Sequence, residues 1–287
     1  MRGTPPVCGI IAALIVLAAG LTSAAADSPY LLLYAFDAEG DAIAAHMTIG
    51  QTDTVLGRAV RSGIVSGRPA VLAESGIGMT NAAMTTQRLI DQFHPTAVIF
   101  TGIAGAIDSS VHIGDIVAAS SWVQHDFGYI GADGFKREDI GVYDPRRDSV
   151  TPLSEFPVDS ILLALAKDCS QGTLRLDSVG SRRPKVIVGG VGASGNTFID
   201  SREKRDWLAH QLDARVVDME SAAVAQVCLA NNVNVIILRS TSDLAGGSGS
   251  STAEAELSQF FRIAAGNSAA VVSEILRRMP DSSASGN

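Results

Sequence analysis

Aromatic side chains are scarce in this chain, at 5% of residues. A core built around large rings is therefore excluded, and Ala, Val, Ile, Leu and 28 Gly must do the packing. Small residues of this kind suit close helix-on-sheet contacts. Basic residues are in deficit too: 22 Lys and Arg stand against 30 Asp and Glu, a formal net charge of −8. No basic stripe is available for phosphates, which argues against nucleic acid as a main partner. The five His, at 46, 94, 112, 125 and 210, are scattered without a close pair, so no metal set stands out and none is expected. No Gly-x-Ser-x-Gly elbow exists either, since Gly192-Ala193-Ser194-Gly195-Asn196 lacks that spacing. What is plentiful is apolar aliphatic sequence: 46% hydrophobic against 18% charged, over a length within range for one α/β domain.

The N-terminus reads as an export signal. Arg2 supplies a positive start, Val7 to Leu21 an apolar stretch, and Ala24-Ala25-Ala26 a small-residue cleavage site. Residues 1–26 are expected to be removed, giving a mature start near Asp27 and a periplasmic or secreted chain. A membrane anchor is the weaker reading, because the apolar core is short and its flank is cleavable. Cys8 precedes that core, so it does not read as a lipid-attachment cysteine. Cleavage removes Arg2 and no acid, so −8 less the +1 of Arg2 gives −9. Nothing in the mature chain is long and apolar enough to span a bilayer, so no membrane partner is expected. An oxidising compartment permits a disulfide between Cys169 and Cys228, but the sequence does not place them close together. Cys228 falls in a helical run, where a buried free thiol is the favoured reading.

Apolar runs alternate with helix-period segments. Strands are expected at 30–36, 70–74, 97–101, 115–123, 185–191, 215–218 and 233–239. Helices are expected at 80–93, 161–167, 201–211, 220–230 and 252–279, the last stopped by Pro280. The alternation implies α/β with a largely parallel or mixed sheet. No composition break or internal repeat divides the chain, so residues 27–280 are expected to form a single domain and 281–287 a disordered tail. The stretch from Phe127 to Pro157 is longer than a usual connection and reads as a surface excursion or a functional loop.

The most informative stretch is Val216-Val217-Asp218-Met219-Glu220-Ser221, followed by Arg239-Ser240-Thr241-Ser242-Asp243. Each places a carboxylate at the end of an apolar run, where burying an unpaired charge is costly. Glu39, in Phe36-Asp37-Ala38-Glu39-Gly40, again lies just past a strand end. A single such acid is ordinarily a helix cap or an ion-pair partner; for Asp243 the partner could be Arg239 or Lys185, and Glu220 could serve a helix dipole. Three acids after three separate strands are hard to explain as three caps. In an open α/β sheet, ligands bind at the carboxyl ends of the strands. Ser75-Gly76-Ile77-Gly78 and Thr101-Gly102-Ile103-Ala104-Gly105 read as small-residue turns at the same edge, able to floor a flat ligand. The first lacks the third glycine of the dinucleotide fingerprint and the Lys of a P-loop.

In order and spacing these pieces resemble the nucleoside phosphorylase and nucleosidase superfamily, and most of all its 5′-methylthioadenosine/S-adenosylhomocysteine nucleosidase branch. The match runs from about Tyr30 to Met279. It also takes in Gly114-Asp115-Ile116-Val117, His125-Asp126 and Ser194-Gly195-Asn196-Thr197-Phe198-Ile199. The resemblance implies a three-layer αβα fold around a mixed, partly closed central sheet, assembled as a homodimer or larger oligomer. It implies hydrolysis of a purine nucleoside at its N-glycosidic bond, with no cofactor. By position, Glu39 takes the role of activating water and Asp243 that of protonating the base at N7. Met219 and Glu220 become the ribose-binding pair and Phe198 the ring stacked on the base. The Ile199 backbone becomes a base-edge contact, and Ser242 joins the substrate-binding set. Two departures bear on base and 5′-substituent preference: Ile103 stands where the nucleosidases commonly have Ser, and Asn196 where they have Asp.

Two alternatives stay open at this level. Phosphorolysis needs an Arg-lined phosphate pocket, and the stretch before the glycines reads Ile99-Phe100-Thr101-Gly102 with no Arg, although Arg58, Arg61 or Arg68 could enter from nearby. Plant storage proteins share the fold, so a secreted binding or storage protein is the other reading. Retention of Glu39, Glu220 and Asp243 together argues against it.

Overall fold

The computed structural model describes residues 28–172 and 174–280; the expected leader and tail lie outside the described residues. Strand β1 (Tyr30–Tyr34) leads into α1 (Asp37–Ala44). A hairpin of β2 (Met47–Val55) and β3 (Arg58–Val65) then returns to β4 (Arg68–Glu74). Helix α2 (Met79–Phe93) crosses to the long β5 (Ala97–Ala106), followed by β6 (Ile116–Ala118) and β7 (Ser121–Gln124). Two small hairpins come next, β8 (Gly128–Gly131) with β9 (Gly134–Arg137) and β10 (Ile140–Asp144) with β11 (Ser149–Leu153), then the short β12 (Phe156–Pro157). The remainder is α3 (Ser160–Gln171), β13 (Val186–Val188), β14 (Val191–Ser194), α4 (Arg202–Leu212), β15 (Ala214–Asp218), α5 (Ser221–Ala230), β16 (Asn234–Asp243) and α6 (Ala253–Arg278).

Twelve strands form one mixed sheet, whose main path runs β12-β7-β14-β15-β5-β1-β4-β3-β2. Strand β5 is its pivot. Its first half pairs in parallel with β1 on one side and β16 on the other, and its last residues turn to pair antiparallel with β15. Strand β16 also carries β6, which carries β13, so the sheet forks and curls. Side-chain alternation in the central strands decides the layers. Leu31, Leu33, Val98, Phe100 and Ile237 face the cluster shared with α2 and α5. Leu32, Ile99, Ile236 and Leu238 face the one shared with α1, α3 and α6. Both faces are covered, which is why these strands read as continuous apolar runs. A smaller cluster under α4 packs Leu208 and Ile199 against Ala193 and Val217.

Helix ends follow local chemistry. The Asp159 side chain accepts from the amides of Ile161 and Leu162, and that of Thr252 from Ala255. Helix α2 closes on His94 in the left-handed region, with Pro95 behind it. No helix among the described residues is long and apolar enough to cross a membrane. Cys169 and Cys228 are both buried free thiols.

Several expectations need correction. Thr101–Gly105 is the second half of a ten-residue strand and not a turn. The stretch 115–123 breaks at Ala119-Ser120 into β6 and β7, which pair with different neighbours. The stretch 185–191 breaks at Gly189-Gly190, both at positive φ, into β13 and β14. Helix α1 and the β2–β3 hairpin were not anticipated: α1 is only eight residues, and β2 is largely exposed, with little apolar periodicity to reveal it.

Candidate active site

The carboxyl ends of β1, β4, β15 and β16 and the second half of β5 surround a cavity of about 160 Å³. Glu39, Asp218, Met219, Glu220, Phe198, Ser242 and Asp243 all line it, with apolar walls from Phe36, Ile77, Ile103 and Leu257. Every residue given a catalytic or substrate-binding role from sequence therefore lines it except Ile199, and Asn196 lies outside it. The Ile199 side chain lines an adjoining recess of about 30 Å³, shared with Phe198, Met219 and Asp243. Phe198 is 44% exposed and stands at the mouth.

Two glycines of β5 let side chains from other strands close in on its backbone. A Cβ at Gly102 would collide with Glu39 and Arg239, and one at Gly105 would sit 2.8 Å from Asp243 Oδ1. The two positions are three residues apart, roughly 10 Å along an extended strand. The cavity thus has a Glu39 end and an Asp243 end with room for a ring between them.

At one end, Glu39 lies in the first turn of α1 and accepts hydrogen bonds from the amides of Ala35 at 2.7 Å and Ile103 at 2.8 Å. Burial pushes its carboxyl above the usual range, while the Arg239 charge and these amides pull it down. At the other end, Asp243 accepts from the Ala245 amide at 2.8 Å and from the Ser242 hydroxyl at 2.9 Å. Burial outweighs these donors, and the carboxyl is pushed up to about 6. Ser242 thus acts on Asp243 through its hydroxyl. Asp243 pairs with neither Arg239 nor Lys185 among the described ion pairs.

Between them sits Glu220, at the N-cap of α5 but making no capping bond with its side chain. Its Oε1 accepts instead from the Gly78 amide at 2.8 Å, tying the Gly76–Gly78 turn to the site. Burial and the neighbouring Asp218 carboxylate push Glu220 up to about 7, against the pull of Arg239 and the Gly78 amide. Asn196 takes the next amide of that turn, its Oδ1 accepting from Met79 at 3.0 Å. Among the described residues no group of His, Cys, Asp and Glu is placed to hold a metal ion.

A profile of the Phosphorylase superfamily matches residues 29–277. The chain belongs to the phosphorylase superfamily. It is 34% identical over 193 residues to the 5′-methylthioadenosine/S-adenosylhomocysteine nucleosidase of Mycobacterium bovis, covering 64% of this chain and 73% of that protein. A Bacillus cereus protein of the same name is 31% identical over 198 residues, 68% of this chain and 77% of the relative. Among solved structures it resembles the Neisseria meningitidis 5′-methylthioadenosine/S-adenosylhomocysteine nucleosidase in complex with methylthio-immucillin-A. There the TM-score is 0.73 at 26% identity, over 88% of this chain and 100% of that one. The futalosine hydrolase of Helicobacter pylori is also similar, with TM-score 0.71 at 26% identity over 88% and 99%.

Two side chains of this superfamily site escaped the sequence reading as functional groups: Arg239 and Asp218. Arg239 is fully buried, stacked 4.0 Å over the Phe100 ring, with Nε 2.7 Å from Asp218 Oδ2 and Nη2 3.6 Å from Glu220 Oε2. Its Nη1 and Nη2 make no hydrogen bond to the protein. The signal was present as an arginine closing the apolar run Val235–Leu238, on the side of β16 that faces Phe100. Asp218 is held by the hydroxyls of Ser194 and Ser221 and by the Glu220 and Ser221 amides. It is Asp218, not Glu220, that caps α5.

Proposed function

We propose that this chain hydrolyses the N-glycosidic bond of an adenine nucleoside of the 5′-methylthioadenosine/S-adenosylhomocysteine class, releasing the free base. The observation that carries the reading is the pair of buried carboxyl groups at opposite ends of one cavity, with Asp243 tuned to about 6. A carboxyl of that kind retains a proton close to neutrality and can donate it to a departing base. The bond from C1′ to N9 breaks with its electron pair moving to the base, which takes the Asp243 proton at N7 and leaves neutral. Water adds to the oxocarbenium-like C1′ from the opposite face, and its proton passes to the Glu39 carboxylate. The arrangement is related to the two-carboxylate logic of inverting glycosidases. Arg239 pulls the Glu39 carboxyl down against the burial that raises it, which favours its acceptor form. Glu220 and Met219 hold the ribose, Phe198 stacks on the base, and the Ile199 backbone meets its edge from the recess.

Charge favours water over phosphate as the nucleophile. The cavity wall carries Glu39, Asp218, Glu220 and Asp243 and no Lys or Arg, and Arg239 behind it is already paired. The amides of Gly78, the N-cap of α2, and of Met79, its first residue, which could otherwise hold an anion, are taken by Glu220 and Asn196. Arg58 is paired with Glu74 at 3.4 Å, and Arg68 donates to the Met279 carbonyl. The test is a nucleoside panel assayed with and without phosphate. Free adenine and a free sugar, at a rate indifferent to phosphate, are expected; an absolute phosphate requirement with a sugar 1-phosphate product would sink the hydrolase assignment. No base release from any nucleoside would favour the binding or storage reading.

We further propose a homodimer and export. Phe127, Tyr129, Ile130 and Phe135 are exposed on and beside the β8–β9 hairpin, where Ile130 pairs with Phe135, apolar exposure of the kind that marks protein contacts. Light scattering coupled to gel filtration should give twice the chain mass. Sequencing of material recovered outside the cytoplasm should begin near Asp27; an intact Met1 end recovered from the cytosol would refute export.

A further inference from the structure

Asp243 is followed by Leu244 to Ser251, a loop with Gly246, Gly247 and Gly249 all at positive φ. A chain so rich in glycine has much conformational entropy to lose and little intrinsic reason to hold one shape. The structure nevertheless fixes it from two sides. Glu256, in the first turn of α6 and only 4% exposed, accepts the Leu244 amide on Oε2 at 3.0 Å and the Ser248 amide on Oε1 at 2.9 Å. Arg205 of α4 donates from Nη1 to the Leu244 carbonyl at 2.7 Å and to the Gly247 carbonyl at 3.5 Å. Both polar groups of the residue directly after Asp243 are therefore held by ionic side chains.

The plain account of an acid in a first helical turn is its attraction to the helix N-terminus. It explains Glu254, which is exposed in the same turn. It does not explain the burial of Glu256. Two of the first-turn donors of α6 are already served: Asp200 accepts the Ala253 amide at 3.0 Å, and Thr252 accepts the Ala255 amide. Both Glu256 oxygens are spent on the loop.

We infer that Glu256 is a positioning residue for the acid step, holding the loop behind Asp243 and setting the charge against which its carboxyl ionises. The inference rests on the nucleosidase reading of the site. Groups of like charge face Asp243 from several elements. Glu256 and Asp200 lie on the α6 side and raise its proton affinity. Glu39, Asp218 and Glu220 share the cavity, with Arg239 as their counter-ion and Arg205 behind Leu244. Leu257, adjacent to Glu256, is part of the cavity wall, so a shift of this turn also reaches the substrate.

The experiment measures adenine release from 5′-methylthioadenosine against pH for the wild type, Glu256→Gln and Glu256→Asp, with melting temperatures alongside. Removing the charge should let Asp243 lose its proton sooner, so the alkaline limb of kcat/KM in Glu256→Gln moves toward acid. A displacement of about half a pH unit reads as roughly threefold lost rate on that limb, with the acid side less affected. Glu256→Asp keeps the charge but shortens the reach, and should keep the limb while raising KM. An unmoved limb in Glu256→Gln with only a lower melting temperature overturns the inference, because a purely structural role predicts that result. Should the Gln variant not fold, wild-type KM in Glu256→Asp overturns it as well. A wild-type chain that releases no base would overturn the nucleosidase reading itself, a result distinct from either.

Discussion

Arg239 Nε and Asp218 Oδ2 lie 2.7 Å apart with both side chains buried. This pair gives the cavity its only countercharge among the described residues near it. A buried pair is weak evidence for stability in itself, but removing one partner leaves the other uncompensated. The Nε–H itself donates to the Ser221 hydroxyl at 2.9 Å, and Nη2 lies 3.6 Å from Glu220 Oε2.

Asp218→Asn should therefore cost stability of about 3–5 kcal/mol, the range for breaking a buried pair. A second effect separates charge from packing. The Asp218 carboxylate raises the Glu220 pKa, so its loss frees Arg239 to pull Glu220 down from about 7. Carbon-13 titration of labelled glutamate should show one buried Glu titrating at lower pH in the variant. An unmoved titration would mean the guanidinium does not sense this exchange.

Stability should depend on pH in a direction opposite to that of ordinary salt-bridged acids. Asp243 is raised to about 6 and Glu220 to about 7 in the folded chain, whereas unfolded carboxyls titrate near 4. Between those limits the native state binds more protons than the unfolded one, so its stability falls as pH rises. The contribution is fully present below about pH 4 and is lost by about pH 7. Denaturant midpoints of wild type and of an Asp243→Asn, Glu220→Gln double variant, compared across this window, should run parallel only if the slope belongs elsewhere. The expected result is a wild-type slope that the double variant lacks.

Much of this site was legible before any geometry. Glu39, Glu220 and Asp243 announced themselves as acids closing apolar runs, a costly arrangement unless the chemistry needs it. The runs themselves were legible because β1, β5 and β16 are covered on both faces. What stayed hidden depends on distance across the sheet. Nothing local in Val235–Leu238 says that the next residue, Arg239, will meet Asp218 from β15 and stack on Phe100 from β5. The glycines at 102 and 105 read as a turn because glycine usually marks one. They lie instead within β5, where a side chain would meet Glu39 and Asp243, and only the packing of three other elements makes that necessary. Hairpin β2–β3 was invisible for a simpler reason: exposed strands of mixed polarity carry little periodic signal.

Gly102→Ala tests that reading of the bare backbone. The added Cβ would overlap Arg239 Nη1 and Glu39 Oε1, two buried groups with little freedom to retreat. Overpacking of this kind typically costs about 1–3 kcal/mol. Because the displaced groups include Glu39, proposed to activate the water, kcat should fall by more than the loss of folded protein explains. Active-site titration with a tight-binding nucleoside analogue, alongside kcat, separates the two. A folded Gly102→Ala enzyme with wild-type turnover would show that this close approach is packing alone.

The last prediction concerns Asp243. If it gives its proton to the leaving base, Asp243→Asn keeps the shape of the side chain and most of the affinity but removes the transferable proton. General acid catalysis typically contributes about 10²–10⁴-fold, so kcat should fall by roughly that factor while KM changes little. Nucleosides whose bases leave without protonation should be less sensitive. The variant should not be grossly unstable. Asn can still accept from the Ala245 amide through its Oδ1, and the carboxyl it replaces is one that burial already disfavours when ionised. The competing view is that Asp243 merely anchors the start of the loop through Ala245 and Ser242. That view predicts a melting temperature lowered by a few degrees with near-normal turnover in the protein that remains folded. Measuring kcat and thermal unfolding on one preparation decides between them. A stable Asp243→Asn chain turning over at the wild-type rate would remove Asp243 from the mechanism and leave Glu39 without an acid to work against.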